Sequence, residues 1–147
     1  MTTYQVTINE DGTTYWRLNG KRHREDGPAC EWADGDKEWW RNDKLHRLDG
    51  PAIEYADSTK YWYQNGQRHR EDGPAIEYAN GTKSWFQNGK CHREDGPAIE
   101  WASGTKEWYL NDELLTEAEF NERMNPAKEM TMAELEAALG HKIKVVK

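Results

Sequence analysis

The chain has 147 residues, with 20 Lys and Arg against 27 Asp and Glu and a net charge of −7. That length allows one or two domains with a buried core, and an acidic chain of alternating charge signs lacks the basic stripe by which proteins hold duplex nucleic acid. No apolar run approaches the roughly 18 residues of a membrane span, and Met1-Thr-Thr-Tyr-Gln has neither the basic nor the apolar segment of a secretion signal, so a cytoplasmic protein with no membrane partner is expected.

The first predicted element is a hairpin within residues 1–22, turning at Asp11-Gly12. The heptapeptide His-Arg-Glu-Asp-Gly-Pro-Ala then occurs at His23–Ala29, His69–Ala75 and His92–Ala98, and at His46–Ala52 with Leu48 in place of Glu. Consecutive starts differ by 23 residues (46−23, 69−46, 92−69). A fixed period means stacked copies of one supersecondary unit, not a globule built around one active site. The divisions are a partial repeat 1–22, repeats 23–45, 46–68, 69–91 and 92–114, together a repeat domain 1–114, and a tail 115–147.

In repeat 69–91, Ile76-Glu77-Tyr78 alternates apolar with polar, and Lys83-Ser84-Trp85-Phe86 is rich in aromatic β-formers, so both predict short strands. Asn80-Gly81 between them, like Asp34-Gly35 and Ser103-Gly104, supplies positive φ for a two-residue hairpin; Asp57-Ser58 departs and predicts a more strained turn. That loop would pair Tyr78 with Lys83 and Ile76 with Trp85. Asn88-Gly89 is a second break leading through His-Arg-Glu-Asp-Gly-Pro, where Gly and Pro end ladder pairing. Two strands per repeat keep equivalent strands parallel to one another along a meander, with the heptapeptide as the return loop. The expected fold is mainly β: an elongated antiparallel meander of about five hairpins with a small helical and strand C-terminal cap.

The expected pairing places Trp16, Trp39, Trp62, Trp85 and Trp108 on one face as the structural core, beside Trp32, Tyr55, Tyr78 and Trp101. With strands about 4.8 Å apart, this is an aromatic ridge about 40 Å long. Trp40, Tyr63, Phe86 and Tyr109 fall on the opposite face as candidate binding residues. An uncovered apolar face of that length is an interface for a partner or a second copy, and exposed rings also suit stacking on a nucleotide or sugar.

The heptapeptide itself invites a catalytic or metal reading. Four copies argue instead for structure: Asp capping turn amides, Gly-Pro setting the turn, Arg pairing with an acid of the next repeat, His packed as a neutral donor. The functional version is an edge row of His23-Arg24, His46-Arg47, His69-Arg70 and His92-Arg93 for an anion or acidic partner. Equivalent histidines about 10 Å apart cannot converge on one ion, so no metal is expected. No phosphate-binding loop, Cys-x-x-Cys pair or nucleophile elbow occurs, so neither a cofactor nor a reaction is expected. Cys30 and Cys91 sit at different repeat offsets and read as reduced thiols.

In the tail, Thr116-Glu-Ala-Glu119 and Thr131-Met-Ala-Glu134 are capping boxes, with Leu115/Phe120 and Met130/Leu135 as staples and Gly140 as a C-cap. Ile143 and Val145 alternate as in an edge strand blunted by lysines. The tail is expected to cover the last hairpin.

The string Trp85-Phe-Gln-Asn-Gly-Lys-Cys-His-Arg-Glu-Asp-Gly-Pro-Ala resembles a variant of the MORN repeat, over about Tyr15–Leu114. The resemblance implies successive hairpins in an elongated sheet. The family's short glycine-spaced link is replaced here by His-Arg-Glu-Asp-Gly-Pro, so no contact residue is carried over. The repeats together with Leu139-Gly-His-Lys-Ile-Lys-Val-Val resemble small proteins of tailed bacteriophages. That resemblance implies a non-enzymatic accessory protein that binds and inhibits a host defence or regulatory macromolecule in bacterial cytoplasm. The alternatives are a nucleotide-sequestering binder and a self-assembling structural repeat.

Overall fold

The computed structural model describes residues 3–126, 130–142 and 144. The expected edge strand at Ile143 and Val145 lies outside them. The opening unit contains β1 (Gln5–Ile8), β2 (Thr14–Leu18) and β3 (Lys21–Arg22). The next three repeats contribute four short strands each: β4 (Cys30–Glu31), β5 (Lys37–Glu38), β6 (Trp40–Arg41) and β7 (Lys44–Leu45); β8 (Ile53–Glu54), β9 (Lys60–Tyr61), β10 (Tyr63–Gln64) and β11 (Gln67–Arg68); β12 (Ile76–Glu77), β13 (Lys83–Ser84), β14 (Phe86–Gln87) and β15 (Lys90–Cys91). The last unit has β16 (Ile99–Glu100), β17 (Lys106–Leu110) and β18 (Glu113–Leu115), followed by α1 (Glu117–Met124) and α2 (Met132–Leu139).

A 12-stranded antiparallel meander runs β1-β2-β4-β5-β8-β9-β12-β13-β16-β17-β18, with β3 on β2, and does not close. Three small hairpins, β6-β7, β10-β11 and β14-β15, accompany it. They are extensions of the same strands, because a single Trp separates β5 from β6, β9 from β10 and β13 from β14. The Trp85 N–H donates to Ala98 C=O (2.8 Å), and its C=O accepts from His92 N–H (3.1 Å). The segment between His92 and Ala98 therefore leaves one edge of the strand and rejoins it. The heptapeptide is an excursion from a strand that keeps pairing on both sides. Ladder pairing does not end there, as Gly and Pro had suggested, because those residues lie in the excursion and not in the ladder.

Turn chemistry differs from expectation at both ends. Asn88-Gly89 closes a two-residue hairpin, with φ of 51° and 82° and Phe86 opposite Cys91. Positive φ at both central residues is what a type I′ turn requires. At Asn80-Gly81 the loop has three residues: Tyr78 N–H donates to Thr82 C=O, Gly81 N–H to Tyr78 C=O, and Asn80 Oδ1 accepts from Thr82 N–H (2.9 Å). The side-chain acceptor two residues back stabilises a type I turn, and only Gly81 (φ 90°) then needs the left-handed region.

The extra loop residue moves the register by one. Glu77 faces Lys83 and Ile76 faces Ser84, correcting the expected Tyr78–Lys83 and Ile76–Trp85 pairs. A one-residue shift exchanges faces. Trp39, Trp62 and Trp85 therefore lie opposite Tyr55, Tyr78 and Trp101, not beside them.

At the third of these turns Ser58 takes φ 77°, where Gly12, Gly35, Gly81 and Gly104 stand in the others. A side chain in this region costs about 1–2 kcal/mol, partly offset by glycine's greater unfolded-state entropy. Ser58→Gly is expected to raise stability by about 0.5 kcal/mol in urea unfolding.

The buried interior is thin. Ala29, Ala52, Ala75 and Ala98 are 0 % exposed on the face covered by the excursions, and Cys30, Ile53 and Ile76 are buried on the other. Both predicted capping boxes form, and Gly140 closes α2 in the left-handed conformation. α1 packs on β17 and β18, where Phe120, Leu110 and Leu115 form a buried cluster against Trp108 and Met124.

Candidate interaction surface

The excursions are held by one repeated arginine clamp. Arg70 Nε donates to Asp72 (2.9 Å), and Nη1 to Pro74 C=O (3.1 Å) and Glu77 (2.9 Å). Its guanidinium lies 4.1 Å above the Trp62 ring. Arg24, Arg47 and Arg93 repeat the arrangement on Trp16, Trp39 and Trp85 at 4.0–4.1 Å. The acids paired with each Arg belong to its own repeat, not the next. A Cβ at Gly73 would sit 2.9 Å from Arg70 Cζ, so any side chain there would displace the guanidinium from the clamp. The arginines of the predicted edge row are thus occupied internally. Trp16, Trp39, Trp62, Trp85 and Trp108 are half-buried, the first four beneath guanidinium groups.

The histidines are acceptors at Nδ1, where a donor had been expected. Nδ1 of His46, His69 and His92 takes the backbone N–H of Asn65, Asn88 and Asn111 at 3.1 Å, while that of His23 lies 3.2 Å from the Asn42 N–H and 3.0 Å from Asn42 Oδ1. Neutral imidazole with the proton on Nε2 fits this bond. Nε2 lies 3.7, 3.7 and 3.4 Å from Glu25, Glu71 and Glu94 in three copies. Leu48 removes that carboxylate at His46, whose pKa is lowered below 6.5 by burial and then by Arg41. The folded state therefore binds fewer protons at this site. Its stability contribution is complete above pH 6.5 and is lost as pH falls from 6.5 through the folded value. Melting temperatures between pH 7 and 5 are expected to fall less steeply in His46→Gln than in the parent.

Three clefts of about 520, 640 and 600 Å³ open between successive excursions. Each has a Gly-Pro wall, a Trp and a His, with exposed carboxylates such as Asp49 and Asp72 at the rim. Among the described residues no group of three His, Cys, Asp or Glu could hold a metal ion. Burial pushes the Cys30 and Cys91 thiols up to about 11 and about 12, which leaves both protonated and unreactive at neutral pH.

The opposite face carries the aromatics. Ile53, Tyr61 and Ile76 are directly opposed across β8, β9 and β12, so they share a face. Residues two positions along join them: Tyr61 meets Tyr55 at 5.8 Å, Tyr78 at 6.0 Å and Tyr63 at 6.5 Å. Two aromatic rows thus flank a buried strip. One is Trp32, Tyr55, Tyr78 and Trp101; the other is the predicted set Trp40, Tyr63, Phe86 and Tyr109. The predicted set is half-buried, with Arg22 3.6 Å over Trp40 and Arg68 5.2 Å over Phe86. The exposed rings are Tyr55 (40 %), Tyr78 (39 %) and Trp101 (44 %), which the sequence reading had assigned to the other face.

Carboxylates are set among the rings. Trp40 Nε1 donates to Glu38 (2.6 Å), while Trp101 Nε1 and Tyr109 OH donate to Glu107 (3.0 and 3.1 Å). Burial raises the Glu38 pKa despite that bond. Among the described residues no second layer covers this face, since α1 packs on Trp108, Leu110 and Leu115 of the opposite one. A surface of aromatic rings with fixed polar groups can bury apolar area and orient a partner by hydrogen bonds. No protein-family model matches the chain, and no curated protein is significantly similar to it.

Proposed function

We propose that the chain is a non-enzymatic binding protein that engages a protein partner on its aromatic face. The observation carrying this reading is the pair of aromatic rows on one side of the sheet, with Tyr55, Tyr78 and Trp101 about 40 % exposed in equivalent positions. The heptapeptide, the other candidate, has its Arg, Asp and Gly engaged in the clamp and its His bound to backbone. No described helix is long and apolar enough to cross a membrane. The resemblance to bacteriophage proteins makes the expected partner a host defence or regulatory protein in the bacterial cytoplasm.

The test is affinity capture from host lysate with the parent chain and with Tyr55→Ala/Tyr78→Ala/Trp101→Ala. The triple variant is expected to stay folded, with a melting temperature lowered by the lost Tyr61 contacts, and to bind the captured protein at least about tenfold more weakly, as loss of interface anchors does. Unchanged binding sinks the reading. The inter-excursion clefts favour a second reading, sequestration of a small ligand. Under that reading, heating the purified protein releases a UV-absorbing compound and no protein partner is captured.

A further inference from the structure

We propose that β1 is a homodimerisation edge, through which two copies of the chain pair antiparallel and continue the sheet from one protomer into the other. Among the described residues β1 is hydrogen-bonded only to β2. Thr7 faces Tyr15, and Asn9 N–H donates to Thr13 C=O. Backbone groups alternate along an antiparallel strand, so the N–H and C=O of Val6 and Ile8 point away from the sheet. All four β1 residues are exposed, Val6 at 45 % and Ile8 at 71 %.

Sheet edges are normally blunted by a charge, a proline, a bulge or a covering element. The far edge follows that rule, with α1 packed on β18. β1 has lost the one charge the repeat would place there. Subtracting 23 from Glu31 gives Ile8, so the position that is Glu in all four full repeats (Glu31, Glu54, Glu77, Glu100) is apolar only at the edge. An interior strand needs that Glu for its clamp; β1 has no clamp to complete.

A second copy fits because the strand complements itself. A two-fold axis through Thr7 sets Val6 of each copy against Ile8 of the other, and Glu10 against Tyr4, so no like charges meet. The contact repeats the pairing that joins β5 to β8 and β9 to β12. With the axis normal to the sheet, both aromatic faces point the same way, which would make the dimer bivalent for a partner. Only that last consequence rests on the proposed function.

Sedimentation velocity of the full chain up to about 1 mM tests the pairing. A short edge pairing buries less than the ~1,200 Å² of stable interfaces, so the mass should rise from 17.2 kDa towards twice that value as concentration increases. Val6→Lys/Ile8→Lys should remain monomeric with an unchanged melting temperature. Thr7 of the two copies would meet at a non-hydrogen-bonded site, about 4.5 Å between Cα atoms, close enough for a disulfide. Thr7→Cys should therefore oxidise to a covalent dimer faster than Thr105→Cys, which is exposed on a turn. The Tyr55/Tyr78/Trp101 alanine variant should dimerise like the parent. A parent that stays monomeric throughout, with Thr7→Cys linking no faster than Thr105→Cys, overturns the proposal. So does a dimer that persists in the lysine variant.

Discussion

Phe120→Ala is expected to lower stability by about 3–4 kcal/mol, the range for truncating a buried aromatic. Phe120 is 4 % exposed in the cluster with Leu110 and Leu115, against Trp108 and Met124. This is the site where the repeat runs out. Trp16, Trp39, Trp62 and Trp85 each lie under an Arg from the following heptapeptide, whereas Trp108 is followed by Leu114-Leu115-Thr116 and pairs directly with Leu115. α1 supplies the covering that the missing heptapeptide would have given. In an array stabilised by nearest-neighbour contacts, loss of a terminal cap frays the last unit first. Urea unfolding measures the total, and hydrogen exchange at Leu110 and Leu115 should accelerate more than at Ile53. Equal acceleration at both would contradict the capping role.

Arg70→Ala should cost about 3 kcal/mol, the second largest effect. It removes a guanidinium that is mostly buried, its stacking on Trp62, and hydrogen bonds to Glu77 and Pro74 C=O, leaving two acceptors without a donor. Arg70→Lys keeps the charge but not the planar fork that serves three acceptors and a ring together, so it should recover less than half the loss. Asp72→Asn should matter little, because the Asp72 side chain is 86 % exposed and water screens its pair. Arg47→Ala and Arg93→Ala should match Arg70→Ala in urea unfolding. A copy whose loss spares stability but abolishes partner binding would return the heptapeptide to the list of binding sites.

The aromatic register shows where sequence reasoning stopped. Two turns per repeat were visible, Asn80-Gly81 and Asn88-Gly89 in repeat 69–91, but which would be the two-residue hairpin was not. Asn80 Oδ1 accepts the Thr82 amide and builds a three-residue loop, whereas Asn88 itself takes positive φ. That local difference reassigned Tyr55, Tyr78 and Trp101 to the other face. The role of the heptapeptide as an excursion was equally hidden, because it depends on Trp85 bonding to both Ala98 and His92.

The repeat itself lies wholly in the sequence: the 23-residue period, the antiparallel strands and the capping boxes. These follow from local chemistry, from spacing, turn residues and alternation, which act within a few positions. The tertiary structure alone decided which rings share a face, what occupies each arginine, and which edge strand has one neighbour among the described residues. Those depend on register, which a single extra loop residue inverts, and on contacts between side chains seven or more positions apart.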